Sequence, residues 1–444
     1  MTSATIPSPA AAAHRPDAPG DVEAVYRKIT RRLLPFLFVC YLLNFIDRAN
    51  IGFAQLQMKT SLGFSDAVYG LGAAMFFVGY AIFEVPSNLL LKRVGARATI
   101  LRIMVLWGLA STATLFVRTP TQFYVVRFLL GVFEAGFFPG IVLYLTFWYP
   151  PQRRARVLAL FCTAQVAAAF VTSPVSGWIL KNMHGLHGWE GWQWMFLIEG
   201  LPTVFLGLLV YFLLPNGPHE AGWLTQAERG YVQRALHAGS EPTQQQHGFG
   251  SLLRDPHVYL LALGAFVSGC AGYFLAFWTP TIIRELGVSD LQQVGLYAVI
   301  PNVFGIIAMV LYGRRSDRRN EQRRHYGFAF VAAAAGFMGL SMAIGSGSLP
   351  WTLVSIAVGG SALVASTPVF WAMVTRYLNK DQAPAGIALI NTLGSVAGIS
   401  PAVVGAIKTQ TGSLAGAIHI LCVMFVLTGI AVMWGMRRVL AARA

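Results

Sequence analysis

Residues 33–56 read LLPFLFVCYLLNFIDRANIGFAQL, an apolar stretch long enough to cross a membrane as a helix. A crossing of ~30 Å needs ~20 such residues. Comparable stretches follow at 66–91, 98–117, 121–147, 156–180, 194–214, 256–283, 291–313, 326–346, 350–378, 383–407 and 414–436. The chain of 444 residues is 55% hydrophobic and 11% charged, unlike a soluble or disordered domain. The sequence therefore predicts an all-α polytopic membrane protein with 12 transmembrane helices.

Two of these stretches carry ionisable residues in their interior. Asp47 and Arg48 are adjacent in the first stretch, and Arg127 and Glu134 lie seven residues apart in the fourth. An ionised group at the bilayer centre costs ~2.5–3.5 kcal/mol on insertion scales, and such groups usually face a bundle interior or an aqueous cavity. The two acid–arginine combinations therefore predict one shared polar site on a substrate or ion pathway.

The net charge of +15 follows the predicted topology. Lysine and arginine concentrate in the N-terminal segment 27–32, the even-numbered loops and the C-terminal tail. The odd-numbered loops hold only Lys59, Arg118, Lys181, Arg284 and Lys408. This asymmetry predicts that both termini are cytoplasmic, in a multi-pass protein of the cytoplasmic (plasma or inner) membrane. No basic soluble face exists on which nucleic acid would bind.

The longest polar interval divides the predicted helices into six and six. We expect a disordered tail at 1–26, an N-terminal six-helix bundle at 27–214, a cytoplasmic linker at 215–255, a C-terminal six-helix bundle at 256–436 and a short tail at 437–444. Within the linker, Thr225 and Glu228 form a capping box that predicts a short surface helix, and EPTQQQHGFG is its flexible part. Two such halves are typical of transporters with a central site between parallel repeats.

The sequence contains no sign of a cofactor, a metal or an enzyme active site. Its four cysteines fall inside apolar stretches without CxxC spacing, and its nine histidines show no ligand spacing. No nucleophile–base constellation is present. We therefore expect no metal, no cofactor and no enzymatic activity.

Several motifs resemble a known transporter family. The loop after the eighth stretch, GRRSDRRNEQRR, resembles the signature loop of the major facilitator superfamily through Gly313, Asp317 and Arg318. The matching loop of the first half keeps Arg93, Gly95 and Arg97 but has Asn88 and Lys92 in place of the glycine and the acid, which weakens an inner-gate charge arrangement there.

The resemblance narrows further within that superfamily. The stretches NFIDRANIGFA, FEVPSNLLLKRVGAR, RFLLGVFEAGFFPG, GWQWMFLIEGLP and AGIALINTLGSVAG are together similar to the anion:cation symporter family, in particular its tartrate, sugar-acid and aromatic-acid permeases. The resemblance covers nearly all of residues 27–436. It implies the major facilitator fold, with a small organic anion and protons as the transported partners, and we expect a functional monomer.

The two arginines are the candidate anion ligands, because guanidinium offers a planar bidentate match to a carboxylate. The resemblance implies that Arg48 contacts the substrate carboxylate. Arg127 should lie ~10 Å nearer the extracellular side than Glu134, at ~1.5 Å per residue, where it binds substrate or gates the site. The alternative for both arginines is neutralisation of an intramembrane acid.

Asp47 and Glu134 are the candidate proton carriers. Burial raises the pKa of a carboxyl group and a neighbouring arginine lowers it, so an acid whose arginine is periodically claimed by substrate can titrate during transport. The resemblance assigns proton coupling to the matching acids. The alternatives are a permanent salt bridge for Asp47 and a helix-packing hydrogen bond for Glu134. We expect Glu84 and Glu199 to serve structure near helix ends.

The resemblance also implies that four further residues complete the pocket: Tyr80, Gln165, Trp371 and Asn391. Helix packing is the alternative for each. The segments Asn44-Phe45-Ile46 and Pro368-Val369-Phe370 lack the hydroxylated residues of the sugar-acid members. We therefore favour a smaller dicarboxylate such as tartrate, or an aromatic carboxylate, over a hexonate.

Three functions are consistent with the sequence. The leading hypothesis is a secondary active transporter that imports an organic anion by proton symport through alternating access. The alternatives are efflux by proton antiport and a transporter-like sensor that binds the same anion without transporting it. The arginines argue against a cationic substrate.

Overall fold

The computed structural model describes residues 22–238, 249–319, 321–378 and 383–437. Its 16 α-helices in this part of the chain are α1 Val22–Ser61, α2 Asp66–Val94, α3 Ala96–Ala113, α4 Pro120–Glu134, α5 Phe137–Thr146, α6 Pro151–Asn182, α7 Gly191–Leu213, α8 Gln226–Ala238, α9 Phe249–Leu253, α10 Pro256–Glu285, α11 Leu291–Arg319, α12 Gln322–Gly345, α13 Leu349–Tyr377, α14 Ala383–Ser395, α15 Ser400–Thr411 and α16 Ala415–Gly435. All of them except α8 and α9 contribute to 12 candidate membrane spans. The prediction of an all-α protein with 12 transmembrane helices is confirmed.

The first span is longer than expected. α1 has 40 residues and begins at Val22, so the last five residues of the tail predicted at 1–26 are helical. Glu23 and Lys28 extend it with ion pairs, from Glu23 to Arg153 and from Lys28 to Glu228. The expected disorder of 1–21 and the expected tail 438–444 lie outside the described residues.

Two spans are broken near the middle of the bundle. The fourth consists of α4 and α5, which meet at Gly136. Gly136 has φ +86°, and a Cβ there would lie 2.7 Å from the Ser87 hydroxyl oxygen, so only glycine fits without strain. The eleventh consists of α14 and α15, joined by one 3₁₀ turn at Val396–Ile399. Broken spans are tolerated in membranes where the freed backbone is buried or lines a cavity.

The helices pack mainly within two groups, α1–α7 and α10–α16. We call the end of the bundle where α1 begins the terminal end, and the end where α1 finishes the distal end. At the distal end the two groups meet through glycines, where α2 packs on α15 and α6 packs on α11. A Cβ on Gly405 would lie 2.3 Å from the Asp66 carbonyl oxygen, and one on Gly295 2.3 Å from that of Ser173. Only glycine permits these backbone approaches.

Polar contacts also join the two groups at the distal end. Lys181 Nζ lies 2.6 Å from Asp290 Oδ2. Lys408, whose side chain is 4% exposed, lies 3.8 Å from Asp66. The Ala67 amide donates to the Thr409 hydroxyl at 2.8 Å. The distal end is therefore closed by packing and by polar contacts.

The first part of the linker is bound to the N-terminal group. The predicted capping box is present: the Thr225 amide donates to Glu228 Oε2 at 2.7 Å, and the Glu228 amide donates to Thr225 Oγ1 at 3.2 Å. Arg97 Nη2 donates to Glu220 at 2.8 Å. The Trp223 ring stacks on Trp148, with centroids 5.7 Å apart. Arg97 of the signature-like loop thus holds the linker, and 241–248, within the stretch expected to be flexible, lie outside the described residues.

Candidate functional site

A cavity of about 630 Å³ lies between the two groups of helices. Its lining residues on α2, α10 and α14 come from 76–88, 265–273 and 388–395. The close contacts of the distal end are made by residues that lie outside these ranges. They are Gly70 on α2, Phe277 on α10 and Pro401 on α15, which continues the eleventh span. The cavity is therefore closed toward the distal end and extends toward the terminal end.

Four of the predicted site residues line this cavity: Arg48, Tyr80, Trp371 and Asn391. They come from α1, α2, α13 and α14, so the walls belong to both groups of helices. Asp47, Glu134, Arg127 and Gln165 are absent from the lining. Half of the predicted residues thus line this cavity, and the other half do not.

Arg48 pairs with the acid of the other predicted combination. Its Nε and Nη2 atoms both lie 2.6 Å from Glu134 Oε1, which also accepts from Asn44 Nδ2 at 2.7 Å. The Glu134 side chain is fully buried, and its Oε2 has no hydrogen-bond partner among the described residues. Asn44 and Arg48 reach the same acid because residues four apart share one helix face. Glu134 Oε2 can therefore accept a further hydrogen bond or hold a proton.

The Arg48 guanidinium is also surrounded by aromatic faces. It lies 5.1 Å from the ring centroid of Tyr80, 5.4 Å from that of Phe76 and 5.9 Å from that of Phe45. Its side chain is 27% exposed, into the cavity. Aromatic faces attract a cation without neutralising it, so Arg48 keeps a charge that an anion in the cavity can meet.

Asp47 faces away from the cavity, toward α3. Trp107 Nε1 donates to its Oδ2 at 2.9 Å, and the Ser111 hydroxyl donates to its Oδ1. Asp47 is 2% exposed and has no lysine or arginine within 4.0 Å among the described residues. It therefore makes no salt bridge with the neighbouring Arg48, although the two are consecutive in sequence.

Arg127 is buried in the N-terminal group of helices. It is 1% exposed, and its Nε and Nη2 atoms have no hydrogen-bond partner in the described part of the chain. Its guanidinium lies 5.1 Å from the Phe76 ring centroid, and the same ring also faces Arg48. In this conformation Arg127 reaches neither the cavity nor any carboxylate of the residues that the structure describes.

Gln165 lies on a second cavity of about 320 Å³, on the other side of α1 and α10. Asn302, Thr172 and Thr279 line the same space. The structure does not bring Gln165 to the wall that carries Arg48. The helix α6 on which it lies closes against α11 instead, through Gly177 and Gly295.

Several cavity residues were not predicted from the sequence. Glu84, which was expected to serve structure near a helix end, lines the cavity between Tyr80 and Asn88. Tyr273 of α10 and Thr392 of α14 also line it. Glu199, by contrast, is 5% exposed and accepts from the Ser176 hydroxyl at 2.8 Å.

A helical pattern would have identified part of this wall. Polar residues recur at three- or four-residue intervals on three of the wall helices, as in Tyr41, Asn44 and Arg48, in Tyr80, Glu84 and Asn88, and in Asn391 and Ser395. Residues at these spacings share one face of a helix.

Residues 37–402 match the Major Facilitator Superfamily. The chain belongs to this superfamily. A protein of Agrobacterium vitis named "Putative tartrate transporter" is 44% identical over 92% of this chain and 91% of its own length. The "Quinolone resistance transporter" of Acinetobacter baumannii is 39% identical, over 90% of this chain and 92% of its own. The chain is therefore a transporter of this superfamily and not an enzyme.

Solved structures show the same fold at low sequence identity. The xylose transporter of E. coli, in a partially occluded inward-open conformation, aligns with a TM-score of 0.72 over 92% of this chain and 98% of its own, at 16% identity. At that identity the likeness shows the shared fold of 12 helices alone.

Proposed function

We propose that the protein imports a small organic anion together with protons. The observation that carries this proposal is the pairing of Arg48 with Glu134. Arg48 is the one cationic side chain among the described residues that line the cavity, and it is bonded to a fully buried acid. An entering carboxylate and Glu134 therefore compete for the same guanidinium.

This competition provides a coupling mechanism. When the substrate takes Arg48, Glu134 loses its cation inside a site with little water, and an uncompensated buried charge is very unfavourable. A proton on Glu134 removes that charge. The proton can be held by Oε2, the oxygen that has no hydrogen-bond partner among the described residues. Loss of the proton returns Glu134 to Arg48 and expels the anion. Asp47, held by neutral donors only, is the second proposed proton carrier.

Charge balance explains why a proton is useful to the importer. An inside-negative potential opposes entry of a monoanion by ~2.3 kcal/mol per 100 mV. One accompanying proton removes that opposition.

We propose that both termini are cytoplasmic, as the lysine and arginine distribution supports, so that the cavity is open to the cytoplasm. Labelling of Lys181→Cys in intact cells with an impermeant maleimide tests this orientation, and protection from the outside would contradict it. A monomer suffices, because one chain builds the whole cavity.

The test separates substrate exchange from proton-driven accumulation. Small carboxylates are first screened for thermal stabilisation of the purified protein, and the best is radiolabelled for proteoliposomes. Glu134→Gln and Asp47→Asn should retain counterflow but lose accumulation driven by an inward proton gradient. Arg48→Ala should lose both, and Glu321→Gln, which changes an acid that is 41% exposed, should lose neither. Normal driven accumulation by both amide variants would disprove the coupling roles.

Export by proton antiport is the second candidate. The relative named "Quinolone resistance transporter" supports it, because export from the cell is one way in which a transporter gives resistance to a compound. The same proteoliposomes distinguish the two candidates. Symport accumulates the labelled anion on the side opposite to the acidic compartment, whereas antiport accumulates it within the acidic compartment.

A further inference from the structure

We propose that the substrate is an aromatic monocarboxylate, an inference that rests on the proposed function and narrows its substrate class. Two independent properties of the central cavity carry it. The first is the number of positive charges that a ligand can reach, and the second is the chemistry of the remaining wall.

The charge count favours one carboxylate over two. Arg48 is the one cation on the described part of the wall, and Arg127 is 1% exposed and does not contribute to it. A dicarboxylate would place its second charge beside no further lysine or arginine of the described wall, in a cavity that Glu84 also lines. A second carboxylate would therefore be desolvated without a partner and repelled by an acid. A monoanion meets Arg48 and leaves no charge unpaired.

The wall chemistry favours a ring. Eight aromatic side chains line the cavity: Tyr41, Phe76, Phe77, Tyr80, Phe138, Tyr273, Phe370 and Trp371. They stand on both sides of the space, since five belong to α1, α2 and α5 and three to α10 and α13. Phe77 and Tyr273 meet across the two groups, with ring centroids 4.5 Å apart. A planar aromatic ligand can stack or make edge contacts on such faces.

The aromatic wall also closes the cavity toward the distal end. Phe77 packs beside Gly398, where an added Cβ would lie 2.3 Å from its ring, and Tyr273 stacks on Phe277 at 6.0 Å. A ligand held by Arg48 on α1 would thus lie against the rings that close this side of the cavity. On the far wall, Asn391, Thr392 and Ser395 offer hydrogen bonds to a ring substituent.

A matched ligand pair isolates the contribution of the ring. 4-Hydroxybenzoate and trans-4-hydroxycyclohexanecarboxylate carry the same two functional groups, and only the first is aromatic. By isothermal titration calorimetry on the purified full chain, we expect 4-hydroxybenzoate to bind at least tenfold more tightly than its alicyclic counterpart and than L-tartrate. Equal affinity for the pair would overturn the argument from the ring. Tighter binding of tartrate would overturn the argument from charge.

Variants tie this preference to the wall. Trp371→Leu should reduce the tenfold preference for the aromatic ligand severalfold. Trp351→Leu, on the same helix but 66% exposed and absent from the cavity, should leave both affinities unchanged. A preference that survives Trp371→Leu together with Tyr273→Leu would refute the inference. Binding of every anion unaltered by Arg48→Ala would instead refute the proposed function, so the two failures are distinguishable.

Discussion

Replacing Gly405 by alanine should loosen the distal end of the bundle. The added Cβ would lie 2.3 Å from the Asp66 carbonyl oxygen and 3.1 Å from the Gly70 Cα, whereas ordinary contact begins at 3.4 Å. Since the nearest obstacle is backbone, α15 and α2 must separate by about 1 Å. Overpacking of this kind costs ~1–3 kcal/mol. That is a ~5–150-fold shift in an equilibrium between two conformations, toward the one with an open distal end.

Hydrogen exchange measured by mass spectrometry provides the assay. The Ala67 amide, bonded to the Thr409 hydroxyl across the two groups of helices, should exchange faster in Gly405→Ala by a factor in that range. Alanine also favours helix over glycine by ~1 kcal/mol, so a control must carry that gain alone. Gly230→Ala serves, because Gly230 lies within α8 and has no atom within 4 Å of the added Cβ. Unchanged exchange at Ala67 in Gly405→Ala would refute the packing argument.

Two further predictions concern Gly95, between α2 and α3, and the linker. Gly95 has φ +93° and ψ 163°, a region essentially restricted to glycine. Gly95→Ala should therefore lower the free energy of unfolding by ~1–3 kcal/mol in a denaturant titration. Gly222→Ala, whose added Cβ would meet nothing within 4 Å, should change that free energy little. Hydrogen bonds from Asn216, and the Arg97 guanidinium, lower the pKa of Glu220 below its ordinary value. Protonation of Glu220 therefore removes its contact with Arg97 as the pH falls from ~4.3 through this lowered pKa. Hydrogen exchange of residues 216–224, corrected for its intrinsic pH dependence, should rise over that range in the wild type but show no such step in Glu220→Gln.

The membrane spans could be predicted because hydropathy alone determines them. Each span is a long apolar run in the sequence, and the bilayer requires such runs to be helical. The helix breaks were less accessible. The break after Glu134 depends on Gly136 meeting Ser87 of another helix, and no local pattern reports that contact. The start of α1 at Val22 likewise depends on partners far along the chain, such as Glu228.

The site was predicted in its residue types but not in its pairing. The sequence predicted that two acids and two arginines share a polar region, which burial costs alone imply. It did not predict that Arg48 pairs with Glu134 while Arg127 meets no carboxylate among the described residues, because that depends on how α1 rotates against α3 and α4. Gln165 was placed with the others for the same reason, and the packing of α6 on α11 puts it on a different cavity.

The neighbouring residues Asp47 and Arg48 can have separate roles because they face different partners. Consecutive residues on a helix point ~100° apart, since a turn holds ~3.6 residues. Arg48 therefore faces the cavity and Glu134, while Asp47 faces Trp107 and Ser111 behind it. An anion in the cavity can take Arg48 from Glu134 directly, but it cannot contact Asp47 without a rotation of α1. If both acids carry protons, Glu134 must respond to the substrate itself and Asp47 to the movement of the helix. Loss of Glu134 should then change the dependence of binding on pH in the conformation described, whereas loss of Asp47 should change transport and leave that binding curve in place.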